Sequence, residues 1–314
     1  MSVESHVLGP EQRSFQALVA ANRRTDVLMA SVGILVLAVA AALLTAVMVD
    51  LISSGWPRLV NPDFYTSFPS RKPEQAGIIS AMVGTSLVML VTAFISIPLA
   101  VAAGIYLEEY APKNWLTDII EINVSNLAGV PSIIYGLLAL GLFVYGFGLG
   151  ETILTAGLVL ALLILPVIIV ATREAIRSIP KDLREAAYGL GADKWQTVSH
   201  YVLPAARPGI LTGAIVGLAR AIGEAAPVIT IGALTFIAFL PPAPVQATPP
   251  FINFDWLMSP FTVMPIQLFN WVSRPQAAFH INAAATGVVL MVMTLLMNGL
   301  AIYIRFKLRQ HQRS

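Results

Sequence analysis

Residues 181–228 read KDLREAAYGLGADKWQTVSHYVLPAARPGILTGAIVGLARAIGEAAPV, and the two halves differ in kind. Lys181 to Pro204 is charged and punctuated by turn residues, whereas the run from Gly209 is apolar apart from Arg220 and Glu224. The polar half reads as a short helical pair lying outside a membrane. Ser178 and Pro180 resemble a helix start, since proline is tolerated in a first turn. Leu183, Ala186, Ala187 and Leu190 then recur at helical spacing. Gly191 suits the left-handed turn that closes such a helix. Asp193 is placed to cap a second short helix, in which Trp195, Val198 and Val202 share a stripe and which Pro204 is expected to end. The apolar half reads as a membrane helix holding two charges. That pairing makes the fold an all-α, polytopic membrane helical bundle.

Composition agrees. Of 314 residues, 57% are hydrophobic and only 11% charged, against about 25% charged in soluble domains. Mean hydropathy is +0.77. A formal net charge of +2 is too small to imply a nucleic-acid partner, and the basic residues form no long run. Cysteine is absent, which excludes disulfides, thiol catalysis and thiolate metal sites. His6, His200, His280 and His311 have no metal-ligand spacing.

Working outward, spans are expected near 27–49, 77–107, 124–149, 152–172, 209–240 and 281–304, because about 20 apolar residues cross the hydrocarbon core. Residues 27–49 exceed the roughly 7–15 residues of a signal-peptide core and are read as a retained first span. Residues 1–26 form a polar arm. A loop with Gly55, Pro57, Pro62, Pro69 and Pro73 follows the first span. Pro98 should kink or break the second, and Pro166 lies inside the fourth. Glu108 to Glu121 reads as a short acidic connection. The third span, rich in glycine, should be a close-packing helix. A Pro-rich loop at 241–279 contains 261–272, read as a short interfacial helix.

The N-terminal arm, the 173–208 loop and the 305–314 tail, with Arg305, Lys307, Arg309 and Arg313, are the basic segments. With about six spans all three fall on one side, which the positive-inside rule makes cytoplasmic. Both termini are then cytoplasmic, and the loops at 50–76 and 241–279 face outward.

Two questions remain open at this level. The apolar faces of the charged loop either pack on the protein's own membrane ends or dock into a groove of a partner. Arg220 and Glu224, four apart and so on one helix face, are either a tolerated structural pair or a functional one. A charge at a helix centre costs about 2.5–3.5 kcal/mol on insertion scales. Arginine also suits oxyanions through its planar fork of donors. Asn126, Ser132, Tyr135, Thr85 and Ser86 are better read as interhelical hydrogen bonds than as a path.

Glu185-Ala186-Ala187, Gly191 after three intervening residues, and Leu203-Pro204 resemble the EAA loop of ABC importer permeases, with a departure at Tyr201, where the family carries an aliphatic residue. The resemblance implies a type I importer permease fold. It also implies that this loop forms coupling helices seated in an ATP-hydrolysing subunit, with Glu185, Ala186, Ala187, Gly191, Leu203 and Pro204 as the matched positions. Residues 219–227, ARAIGEAAP, are similar to the signature of phosphate-specific importer permeases. Residues 103–110 (AGIYLEEY) and 128–136 (AGVPSIIYG) agree with it, and 260–267 (PFTVMPIQ) is similar to the A-type rather than the C-type subunit. The resemblance implies a bacterial inner-membrane permease for inorganic phosphate, with Arg220 and Glu224 on the substrate path. The partners it implies are a second, C-type permease subunit, two ATP-binding subunits and an extracytoplasmic phosphate-binding protein.

The chain has no Gly-x-x-x-x-Gly-Lys-Ser/Thr loop, so no catalytic residue and no cofactor is expected here, ATP being bound by the partner. An importer of another oxyanion, such as sulfate or molybdate, fits the electrostatics equally. An ion-driven secondary transporter would have no use for a docking loop, and no signalling domain supports a sensor.

Overall fold

The computed structural model describes residues 10–246 and 251–310, and the chain divides into two compact units after Ser53. The first helix, α1 (Pro10–Leu59), supplies the first unit up to Ser53, and its last residues belong to the second. Every residue from Thr25 to Val47 is exposed. A helix apolar on all sides is at home only in hydrocarbon or against another apolar surface.

The second unit is built on α2 (Ile79–Ile105) and α5 (Ile153–Arg177). Val88 and Val91 of α2 bury against Ala156, Leu160, Leu163 and Ile164 of α5. A Cβ at Gly157 would strike the Val91 side chain, so glycine is what lets the two helices touch. Thr92 Oγ1 crosses the contact, donating to Val88 O at 2.9 Å and Gly157 O at 3.3 Å. Helix α8 (Leu203–Ile222) lies on the other side of α5. Gly209, Gly213 and Gly217, four apart, face Ala175, Ala171 and Ile168 there. This is the small-residue ridge by which membrane helices approach closely.

Five helices are long and apolar enough to span a membrane, or up to six if one bent pair counts as a span. That pair corrects the expected span at 124–149. Helix α3 (Trp115–Leu127) and the segment starting with α4 (Ser132–Ala139) meet at 107°. Pro131 has no amide donor and disfavours helical backbone at Val130, so the run cannot continue. The acidic connection is also more ordered than expected: Tyr106–Tyr110 extends α2 as a π turn, and Asn114 caps α3 by accepting from Thr117 N at 2.9 Å. Helix α2 runs through Pro98 to Ile105.

The expected span at 209–240 is corrected too. Helix α8 stops at Ile222, one turn follows as α9 (Ala226–Thr230), and the chain is then irregular to residue 246. Gly223 and Pro227 sit at the stop, and Gly232 has φ +89°, a backbone conformation only glycine adopts at little cost.

The loops expected to face outward pack into a second core. Phe64, Ile78, Met264, Trp271 and Phe279 are buried together. Arg58 donates to the carbonyls of Glu74 and Ala76 and covers the Phe64 ring. The 261–272 segment holds α10 (Met264–Val272), whose Met264, Gln267 and Trp271 are fully buried. It is a core helix, not an interfacial one. Thr85 Oγ1 of α2 accepts from Met264 N at 2.8 Å, and a Cβ at Gly84 would strike Thr262 O. The last helix, α11 (Ala277–Gln310), adds Phe279, Ala283 and Ala285 to this core.

Candidate functional site: a docking turn and a helix break

The charged loop folds as its local chemistry dictates. Helix α6 (Lys181–Gly189) begins after Pro180. Gly191, at φ +84°, closes it, with its N–H donating to Tyr188 O at 2.9 Å and Ala192 N donating to Ala187 O at 3.1 Å. Helix α7 (Lys194–Thr197) opens with a capping box: Gln196 N donates to Asp193 Oδ1 at 2.7 Å, and Asp193 N to Gln196 Oε1 at 3.0 Å. Two orphan amides are satisfied reciprocally, so the turn is rigid on its own account.

Pro204 does not end this element. A π turn, Val198–Val202, leads from α7 straight into α8, with Pro204 in the first turn of α8, where a missing donor costs little. Leu203 packs half-buried beside Ile176, Val202 and Ala206. The two expected apolar faces are split as well. Ala187, Val198 and Val202 are buried against the bundle, whereas Ala186 is exposed, Leu190 is 83% exposed and Trp195 66%. The first expectation, packing on the protein's own helices, describes one face of the loop; another face presents Leu190, Trp195, Tyr188 and Tyr201 outward. Glu185 and Gly191 lie on the outward side.

Six charged residues that sequence reading did not bring together meet beside α6. Arg184 Nη2 reaches Glu109 Oε1 at 2.7 Å. Arg177 binds Glu108 through Nε at 3.0 Å and Nη2 at 2.9 Å, a bidentate pair. Arg173, with 9% of its side chain exposed, reaches Glu121 at 2.7 Å and Glu108 at 3.5 Å. These partners are 52 to 75 positions apart in the chain (173 − 121 = 52; 184 − 109 = 75), and no spacing rule pairs them. The one available signal was the acidic excess at 108–121 facing a basic stretch at 173–184.

Arg220 and Glu224 are brought together, but not as two residues of one helix. Arg220 sits in the last turn of α8, Gly223 caps it, and Glu224 lies beyond. The Nε–Oε1 distance is 3.5 Å, with the side chains 37% and 21% exposed. Among the described residues, the terminal nitrogens of Arg220 have no hydrogen-bond partner at all. The break abuts the other broken segment: a Cβ at Gly136 would strike Thr230 Oγ1 and lie 2.7 Å from Pro227 Cα. Tyr135 Oη donates to Leu127 O at 2.8 Å, satisfying a carbonyl at the α3 terminus. Ser86 bonds to Met82 O in its own helix. Two discontinuous helices thus meet beside a charged pair, the arrangement by which membrane proteins build sites at depth.

Comparison with known proteins agrees with this architecture. The chain belongs to the family of binding-protein-dependent transport system inner membrane components, whose model matches residues 96–310. It is therefore a multi-pass membrane permease of the ABC transporter class. A probable ABC transporter permease protein, YqgI of Bacillus subtilis, is 37% identical over 252 residues, covering 79% of this chain and 80% of that one. The phosphate transport system permease protein PstA 1 of Mycobacterium tuberculosis is 30% identical over 266 residues, covering 84% and 82%. Among solved structures, a bacterial alginate ABC transporter chain is similar with TM-score 0.61 at 14% identity, covering 90% of this chain and 94% of that one. The inward-facing MetNI methionine ABC transporter gives TM-score 0.56 at 18% identity, covering 74% and 95%. At such identities the structures speak to the fold alone, a type I importer permease.

Proposed function

We propose that this chain is one membrane subunit of an ATP-driven importer of inorganic phosphate, forming half of the translocation path. The observation that carries the reading is the Arg220 guanidinium, which stands at a helix break with its two terminal nitrogens free and only a long contact to Glu224. A planar fork of donors left open to an incoming ligand is a receptor for a tetrahedral oxyanion. Glu224 holds the arginine when the anion is absent and yields it when the anion arrives. Relatives named as phosphate permeases supply the choice of phosphate over sulfate or molybdate. Residues 181–204 dock on the ATPase through the exposed Tyr188, Leu190 and Trp195, with Glu185 and Gly191 alongside. On this reading the loop and both termini are cytoplasmic. The complete assembly comprises this chain, a C-type permease, two ATP-binding subunits and an extracytoplasmic phosphate-binding protein that delivers to the outer loops. ATP belongs to the ATPase subunits, and this chain carries no catalytic group or cofactor.

The test is uptake of radiolabelled phosphate by the purified assembly in ATP-loaded vesicles, with sulfate and molybdate as competitors. Arg220→Gln should lower uptake about tenfold to a hundredfold, the loss expected from removing charge-assisted hydrogen bonds to an anion, while the subunits still co-purify. Unchanged uptake would make the pair structural. Sulfate transport in place of phosphate would reassign the substrate.

A further inference from the structure

Helix α6 is joined to α5 by three residues only, Ser178, Ile179 and Pro180. The buried Ala187 seats α6 on the bundle, and Arg184 adds a polar attachment on top of that packing. Its guanidinium donates to Glu109 Oε1 through Nε at 3.1 Å and Nη2 at 2.7 Å, to Ile179 O at 2.9 Å and to Ile176 O at 3.1 Å. One side chain thus ties α6 to the end of α2, to the end of α5 and to the tether between them. The pair is largely shielded, with 18% and 9% of the side chains exposed, so water competes weakly for it. The second docking helix repeats the attachment, since Lys194 Nζ sits 5.0 Å from the centre of the Tyr110 ring. Both docking helices therefore grip the same π turn, Tyr106–Tyr110. The far part of α2 borders the helix break: Thr85, Val88 and Met89 line one small cavity together with Ala221, Ile222 and Glu224.

We infer that Glu109 and Arg184 are positioning residues for transport, a latch that makes α2 move with the docking helices and so carries the ATPase stroke to the Glu224 end of the break. Helix α8, which continues α7, leads to the Arg220 side of the break. Helix α2 supplies the route to the Glu224 side, because it is gripped at one end and touches the break at the other. The Arg173–Glu108–Arg177 contacts keep the ends of α2 and α5 together, so that the two move as a body. This inference rests on the docking reading of residues 181–204.

The experiment measures ATP hydrolysed per phosphate imported, using the complete assembly in vesicles. Glu109→Gln and Arg184→Gln should leave hydrolysis in place and lower uptake about tenfold, raising the ratio by that factor. The chain has no cysteine, so Glu109→Cys with Arg184→Cys gives the only two thiols in this subunit. A bis-thiosulfonate cross-linker as long as the lost ion pair should bring the ratio back, and thiol reduction should raise it again. Hydrolysis and uptake falling together, with the ratio unchanged and no recovery on cross-linking, would make the pair a structural contact and overturn the inference. If either glutamine variant fails to assemble, the cross-linked double variant decides the matter. Absence of any ATP-driven uptake by the unsubstituted assembly would instead overturn the docking reading beneath it.

Discussion

The two groups of arginine–carboxylate contacts in this protein are built on opposite plans. Beside α6, three arginines and three glutamates interlock, with shortest contacts of 2.7 Å and carbonyls taking up spare donors. At the helix break, one arginine meets one glutamate at 3.5 Å and keeps its terminal nitrogens unused. The first arrangement holds helices together, although the buried Arg173 Nε has no hydrogen-bond partner of its own. The second leaves charge available. A buried ion pair adds little stability against an apolar alternative, yet removing one partner strands the other. The same residue types therefore predict different losses at the two places.

The largest expected effect on stability is Arg173→Gln, which removes a charge only 9% exposed and leaves Glu121 and part of the Glu108 charge without a partner. A loss of about 3 kcal/mol is expected, read as a lower Tm of the detergent-solubilised assembly. Arg220→Gln should instead leave that Tm within about 1 kcal/mol of equivalent stability, since a half-exposed, long contact contributes little. Equal losses at both positions would erase the contrast. Next comes Gly213→Val, whose side chain would drive into Ala171 and cost about 1–3 kcal/mol by overpacking, again read from Tm. Gly191→Pro acts on function more than stability. Proline cannot take φ +84°, so the outward turn is lost and ATP-driven uptake should fall about tenfold, by analogy with other misplaced docking groups. Normal uptake in that variant would remove the docking reading. The smallest effect belongs to Arg177→Gln. Arg177 is 53% exposed, so the change should cost about 1 kcal/mol or less and shrink further at high salt. A large loss there would show that the outer member of the cluster is as tightly held as Arg173.

Much of this was legible in the chain because it is local chemistry. The Asp193–Gln196 box, the turn at Gly191 and the start after Pro180 follow from what a few adjacent residues can bond to. The two breaks were written in the sequence as Gly129-Val130-Pro131 and as Gly223 with Pro227. They were masked by continuous apolarity, which measures burial in lipid and is blind to whether the backbone stays helical. The glycine ridge at 209, 213 and 217 was a readable signal of the same kind. The ion-pair cluster was not readable, because each contact depends on three helix ends meeting. The burial of α10 was not readable either: an apolar segment between prolines announces that it must be covered, not by what.

Composition and local bonding by themselves determined that this is a membrane bundle, that two short helices meet at a glycine turn around Gly191, and that Arg220 and Glu224 lie near each other. They determined these things because hydrophobic transfer and capping act over a few residues. Only the tertiary structure decided that Glu224 stands beyond a helix end instead of along a helix, that Ala187 points inward while Leu190 and Trp195 point out, and that Glu109 meets Arg184. Those depend on how glycine-lined helices pack and where their ends converge, and distances in space of that kind are not a function of distance along the chain.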